Sequence, residues 1–288
     1  MQFSGLRILS LETRRGTEME ALIRREGGDA FTAPSVQERA LEDHGDAVRF
    51  VERLEAGEFD MVICMTGAGL AFLRDVVAAH MPIGRLGDAL RTVTIISRGP
   101  KPVPILLELN VRARVMVPEP NTWKEIVDVV AARPERRIAV QEYGRPNPEM
   151  YRALEQLGAT VAPVAIYRWE LPDDLEPLRE AARGLAGGSF EVVLFTSAIQ
   201  LDHLLDVARN LGIEAKVHRA LREEVVVASV GPVMTAAIES HGLTADIVPV
   251  HPKMSALVRA ASDGAAEALA RKRGCPLLPE VRQDPIGL

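Results

Sequence analysis

Apolar and polar positions alternate along this chain in blocks that predict strands and helices in turn. Arg7 to Leu11 is a short apolar run after Gly5, read as a strand. Met19, Leu22 and Ile23 then recur at helical spacing, and Gly27-Gly28 ends that helix. Met61 to Met65 is continuously apolar, the pattern of a strand covered on both faces of a parallel sheet. Leu70, Phe72, Leu73, Val76 and Val77 supply a helical stripe behind it. Thr92 to Ile96 predicts another strand, and Val103 to Leu109 a helix introduced by Pro102 and Pro104. Ala113 to Val117 predicts a fourth strand, with Trp123 to Val130 as its helix. The later half predicts strands over Arg137–Gln141, Val192–Phe195, Val225–Val230 and Ala245–Val250. Regular alternation of strand and helix implies an α/β fold with parallel sheets.

The two halves resemble each other. At an offset of about 131 residues, three blocks coincide in order. Arg7 to Glu12 matches Arg137 to Glu142, and Gly28 matches Gly158. Phe59 to Ile63 matches Phe190 to Leu194, and a hydroxyl-bearing turn follows each, Met65-Thr66-Gly67 against Thr196-Ser197-Ala198. Arg98-Gly99-Pro100 matches Val230-Gly231-Pro232, and Val115 to Pro120 lines up with Ile247 to Pro252. The expectation is an internal duplication giving two similar α/β domains. Ligands on such sheets sit beyond the carboxyl ends of the strands, so an interdomain cleft is the expected site.

Composition narrows the chemistry. The 288 residues carry a formal net charge of −6 and only 4% aromatic side chains, which argues against a nucleic-acid binder. No run approaches a membrane span, and the first residues lack a signal-peptide core, so a cytoplasmic location is expected. Cys64 sits in an apolar strand and Cys275 in a Pro-rich tail, so no bridge between them is expected. The tail, residues 273–288, is expected to be flexible. The chain has no phosphate-cradling Gly-rich loop ending in Lys and no Gly-x-Ser-x-Gly elbow. Its six histidines show no metal-ligand spacing. Gly67-Ala68-Gly69 follows a strand but lacks the third glycine of a dinucleotide fingerprint.

Polar residues at strand ends remain as candidates. Thr66 and Ser197 occupy matching turns, where hydroxyl residues routinely cap helices. Capping is compatible with binding, because helix starts present backbone N–H groups to anions. Arg14, Arg15, Arg98, Lys101, Arg145 and Arg168 all follow predicted strand ends. One such cation reads as a solvated surface charge; six in a net-acidic chain suggest an anionic ligand. Gly231-Pro232 and Gly99-Pro100 read most simply as strand-to-helix turns. Tyr167 ends an apolar run, either as a packing tyrosine or facing the site.

Several stretches resemble signatures of the uroporphyrinogen-III synthase family. Val192 to Ala198 contains Phe-Thr-Ser after a strand. Ala228-Ser229-Val230-Gly231-Pro232, then Ala236-Ala237-Ile238 and His241-Gly242-Leu243, resembles the family's Gly-Pro, helix, Gly-Leu pattern. Gly158 to Leu171 contains Tyr167-Arg168, and Thr13-Arg14 follows the first strand. The similarity runs from about Leu6 to Ala260.

The resemblance implies an interleaved arrangement, with residues 1–36 plus 171–264 forming one domain and 37–170 the other. Extended crossings would join them near Pro34–Gln37 and Tyr167–Leu171. It further implies a lyase, without cofactor or metal, that cyclises hydroxymethylbilane to uroporphyrinogen III in tetrapyrrole and heme biosynthesis. The implied catalytic residue is Tyr167, with Arg14, Thr66, Gly67, Arg98, Lys101, Arg145, Thr196, Ser197 and Gly231 holding the polycarboxylate substrate. A monomer supplied with substrate by hydroxymethylbilane synthase is expected, with no nucleic acid or membrane partner. Two positions depart from the pattern: Met234 stands where many members carry Thr, and Arg15 where Pro is usual. The departure at Met234 motivates a second reading, a non-catalytic tetrapyrrole-binding or regulatory module. A third is an unrelated two-lobed small-molecule binding protein.

Overall fold

In the computed structural model, residues 3–41 and 45–274 are described. From the amino end come β1 (Arg7–Ser10), α1 (Gly16–Arg25), β2 (Asp29–Thr32), β3 (Gln37–Ala40), α2 (Gly45–Glu55) and β4 (Met61–Cys64). There follow α3 (Gly67–His80), α4 (Arg85–Leu90), β5 (Thr94–Ser97), α5 (Val103–Glu108), β6 (Val115–Met116) and α6 (Trp123–Ala131). Next are β7 (Arg137–Gln141), α7 (Pro148–Gln156), β8 (Thr160–Val164), β9 (Tyr167–Glu170), α8 (Glu176–Ala186) and β10 (Val192–Phe195). The last described elements are α9 (Ala198–Asn210), α10 (Glu214–Glu223), β11 (Val226–Ser229), α11 (Pro232–Ser240) and α12 (Met254–Lys272). The chain divides into a first unit of residues 1–37 and 171–288 and a second unit of residues 38–170.

The first unit is built on a parallel sheet in the order β11-β10-β1-β2. Successive side chains of a strand point to opposite faces. Accordingly Leu9, Val193, Phe195 and Val227 enter a core with α8, α9, α10 and α11. Ile8, Val192, Leu194, Val226 and Ala228 enter another with α1 and α12. Burial on both faces explains why β10 and β11 read as unbroken apolar runs.

The second unit holds a parallel sheet in the order β6-β5-β4-β7-β8. Val62, Cys64, Ile95 and Ala139 face α2, α3, α4 and α5. Met61, Ile63, Ile96, Ile138 and Val140 face α6 and α7. Cys64 is fully buried, and loss of hydration pushes its thiol up to about 12, which leaves it inert. β3 and β9 pair with each other as a separate two-stranded ribbon.

Two expectations change. Ala245–Val250 is not a strand; a single bridge joins Ile247 to Ala228. Pro249 cannot donate to a ladder, and Val250 stands in solvent, 92% exposed. Tyr167 does not end the run from Gly158 but opens β9, which pairs with β3 and keeps one parallel bridge, from Arg168 to Gly144 past β7. β8 is bonded to β7, whereas the carbonyl of Ile166 accepts from the N–H of Leu41, just after β3. At the other end of the chain, α12 continues through residue 264 to Lys272. Residues 275–288, including Cys275, lie outside the described residues, as does His44.

Candidate functional site

In the second unit, polar groups gather at the carboxyl ends of β4, β5 and β7. Thr66 is the N-cap of α3, and its hydroxyl accepts the N–H of Gly69 at 3.0 Å. The same hydroxyl lies 3.2 Å from the hydroxyl of Tyr167. Tyr167 is buried, and its ring stacks on Phe72 with centroids 5.4 Å apart. The N–H groups of Gly67 and Ala68 have no intrahelical acceptor, as at any helix start. Gly67 is glycine because a Cβ there would strike the carbonyl oxygen of Lys101. The turn after β4 and the turn after β5 therefore touch backbone to backbone.

Arg98 follows β5 and is half-buried, with its guanidinium 5.0 Å from the centroid of the Tyr143 ring. Loss of hydration pulls this guanidinium below its usual value, while Tyr143 and Tyr167 favour its charge. Among the described residues no carboxylate pairs with Arg98. Lys101 is exposed in the adjoining turn, and Arg145 is exposed one residue past Gly144. Arg168 is turned to the carboxylate of Glu170.

Tyr143 also meets Trp169 edge to face, 5.5 Å between centroids. The indole covers Gly144, whose φ is +79°, and a Cβ there would lie 2.6 Å from Trp169 Cε2. Gly144→Ala is therefore expected to lower stability by about 2 kcal/mol through left-handed strain and overpacking. Urea unfolding checks this; an unchanged midpoint would contradict it.

In the first unit the corresponding strand ends are mostly satisfied internally. Thr196 donates its hydroxyl to Glu12, and Ser197 is the N-cap of α9. Arg14 is exposed at the rim of a shallow concavity of about 440 Å³, near Glu12, Arg15, Thr32 and Pro34. Gly231 gives its N–H to the hydroxyl of Ser229 at 3.3 Å and backs against Pro252. Met234 is buried in the core, whereas Thr235 donates its hydroxyl to Ser229 at 2.9 Å.

The structure thus brings Thr66, Gly67, Arg98, Lys101 and Tyr167 to one end of the second unit's sheet. It places Arg14, Thr196, Ser197 and Gly231 in the first unit. Sequence reasoning missed Gln141, Glu142 and Tyr143, which follow one another at the end of β7. Gln141 is fully buried, and its side-chain oxygen accepts the N–H groups of Met65 and Thr66, each at 3.2 Å. Glu142 is buried and hydrogen-bonded to Tyr151; burial raises its pKa and the tyrosine opposes that. The available signal was a Gln-Glu pair closing an otherwise apolar run inside the repeated block.

Parallel sheets flanked by helices, with hydroxyls and cations at the carboxyl strand ends, define a doubly wound α/β protein. The family model described as "Uroporphyrinogen-III synthase HemD" matches residues 17–259. The chain belongs to the uroporphyrinogen-III synthase family, which serves tetrapyrrole and heme biosynthesis. It is 26% identical over 261 residues to "Uncharacterized protein YjjA" of Bacillus subtilis, covering 88% of this chain and 94% of that one. It is 28% identical over 233 residues to "Putative uroporphyrinogen-III synthase" of Methanothermobacter thermautotrophicus, covering 80% and 87%. A crystal structure of a mutant uroporphyrinogen III synthase from Thermus thermophilus shares the fold, with TM-score 0.70 and 22% identity over 93% of this chain and 100% of that one. No helix among the described residues is long and apolar enough to cross a membrane.

Proposed function

We propose that this chain is an active uroporphyrinogen-III synthase, converting hydroxymethylbilane to uroporphyrinogen III and water. The observation that carries the reading is the hydroxyl pair of Tyr167 and Thr66 in the same sheet end as a desolvated Arg98 that has no carboxylate partner among the described residues. Arg98 and the helix start at Gly67 hold substrate carboxylates. Tyr167 donates its proton to the terminal hydroxyl of the bilane as the carbon–oxygen bond breaks, and water leaves. Thr66 holds the phenol in place. The resulting azafulvene is attacked by ring D through its substituted carbon. The spiro intermediate fragments and recloses with ring D inverted, and a ring proton is lost to restore Tyr167. The substrate is intrinsically reactive, so the protein contributes mainly orientation and charge stabilisation. The chemistry needs no cofactor, and the enzyme acts as a cytoplasmic monomer on bilane released by hydroxymethylbilane synthase.

We also attribute the two units to a duplication. The strand order around β4 and β7 in the second unit matches that around β10 and β1 in the first, and both contain a Ser-x-Gly-Pro turn. In each turn the serine donates to the glycine carbonyl, Ser97 at 2.6 Å and Ser229 at 3.0 Å. The reading as a non-catalytic module loses its motive, because Met234 points into the core.

The kinetic test is Arg98→Met. It is expected to raise KM for hydroxymethylbilane about tenfold, the loss of roughly one charged contact, with little change in kcat. A variant with unchanged KM would remove Arg98 from the site.

A further inference from the structure

Both units hold a central strand-to-helix turn with a buried glutamine, but the glutamine comes from different places in the chain. In the first unit it is Gln200, the third residue of α9. Its side-chain oxygen accepts the N–H groups of Thr196 at 2.7 Å and Ser197 at 3.1 Å. Its nitrogen donates to the carbonyl of Leu11, just past β1, at 3.2 Å. In the second unit the third residue of α3 is Gly69, and the acceptor is Gln141 at the end of β7. Its nitrogen donates to the carbonyl of Glu142. In the sequence repeat, Gly69 stands opposite Gln200, and Gln141 opposite Leu11. The Gln and Leu of one unit are exchanged for Gly and Gln in the other.

The exchange has a spatial consequence. Two buried N–H groups at the turn need an acceptor, and leaving them without one is costly. The third helical position is the usual source. At Gly69, however, a Cβ would collide with the Gln141 amide and lie 2.8 Å from Tyr167 Cε1. A side chain at this position and the present seat of the Tyr167 ring exclude each other.

We propose that Gly69 and Gln141 are positioning residues for Tyr167. Supplying the glutamine from β7 keeps the turn satisfied while the glycine leaves room for the tyrosine beside Thr66. The catalytic half of this inference rests on the proposed role of Tyr167; the structural half does not.

The test compares Gln141→Leu with the double variant Gly69→Gln/Gln141→Leu, which gives the second unit the first unit's arrangement. The chain has three tyrosines, so ring-selective NMR with Tyr167→Phe as reference assigns the Tyr167 signal. Gln141→Leu should melt below the wild type, and the double variant should recover part of that loss. In the double variant the Tyr167 signal should leave its wild-type position, and type III formation should fall at least about tenfold, to the level of Tyr167→Phe. A double variant that melts no higher than Gln141→Leu would overturn the interchangeability of the glutamines. One that keeps the wild-type Tyr167 signal would overturn the role of the glycine. If the wild type itself forms no type III isomer, the proposed function fails, while melting and ring signal still decide this inference.

Discussion

Tyr167→Phe is expected to slow uroporphyrinogen III formation by about tenfold to a hundredfold, at or below the lower end of what a positioned proton donor supplies, because the substrate is intrinsically reactive. The effect should fall on kcat, because the lost proton serves the departing hydroxyl and not ground-state binding. Binding and fold should survive, since the ring's stacking on Phe72 needs no hydroxyl. The loss should stop short of inactivity, because in the proposed mechanism Arg98 and the α3 helix start still orient the substrate. Steady-state kinetics with a matched circular-dichroism spectrum decide the matter. An unchanged kcat would take the phenol out of the reaction. Complete loss with an intact fold would mean that one side chain carries far more of the chemistry than orientation allows.

Asp246→Ala is expected to cost the largest amount of stability. Asp246 pairs with Lys272 at 2.8 Å, and their side chains retain only 13% and 10% exposure. The carboxylate also accepts the N–H of Val227 in β11 at 2.7 Å. Lys272 in turn donates to the carbonyls of Leu221 at 2.6 Å and Val225 at 2.8 Å, pinning the end of α12. Removing the carboxylate leaves the backbone N–H of Val227 without this acceptor and the buried ammonium with two carbonyls but no counter-charge. The cost should be about 3 to 4 kcal/mol, in the range for breaking a buried pair from one side. Asp246→Asn should cost less, because its amide oxygen still serves Val227. Denaturant unfolding of the first unit's helices reads both. Equal midpoints for wild type and Asp246→Ala would show that α12 is held by its apolar face alone.

What the sequence revealed and what it hid follow from how far each feature depends on contacts distant along the chain. β7 and β10 were legible at their ends because both faces are buried and the apolar run is unbroken. β2 was not, since it is an edge strand with an exposed first residue and only partial burial. Ala245 to Val250 has strand-like composition, but Asp246 is committed to Lys272 and Pro249 lacks a donor, so the stretch passes the sheet with one bridge. The hydroxyls and cations were visible as types at strand ends. Their sorting was not: Arg98 is desolvated and has no carboxylate partner among the described residues, whereas Arg15 and Arg168 are exposed and paired with Glu18 and Glu170. Gln141 was invisible as a functional residue because its meaning lies in two N–H groups on another strand's turn. Only the fold shows that it does for α3 what Gln200 does for α9.

The most direct test of the central claim is the isomer composition of the macrocycle formed from fresh hydroxymethylbilane by the purified chain. Uncatalysed closure gives the symmetric type I product, so each isomer reports its own route. Predominantly type III is expected, at a rate above the uncatalysed closure. Type I alone, from protein with an intact fold, would contradict it and leave a tetrapyrrole-binding protein without synthase activity.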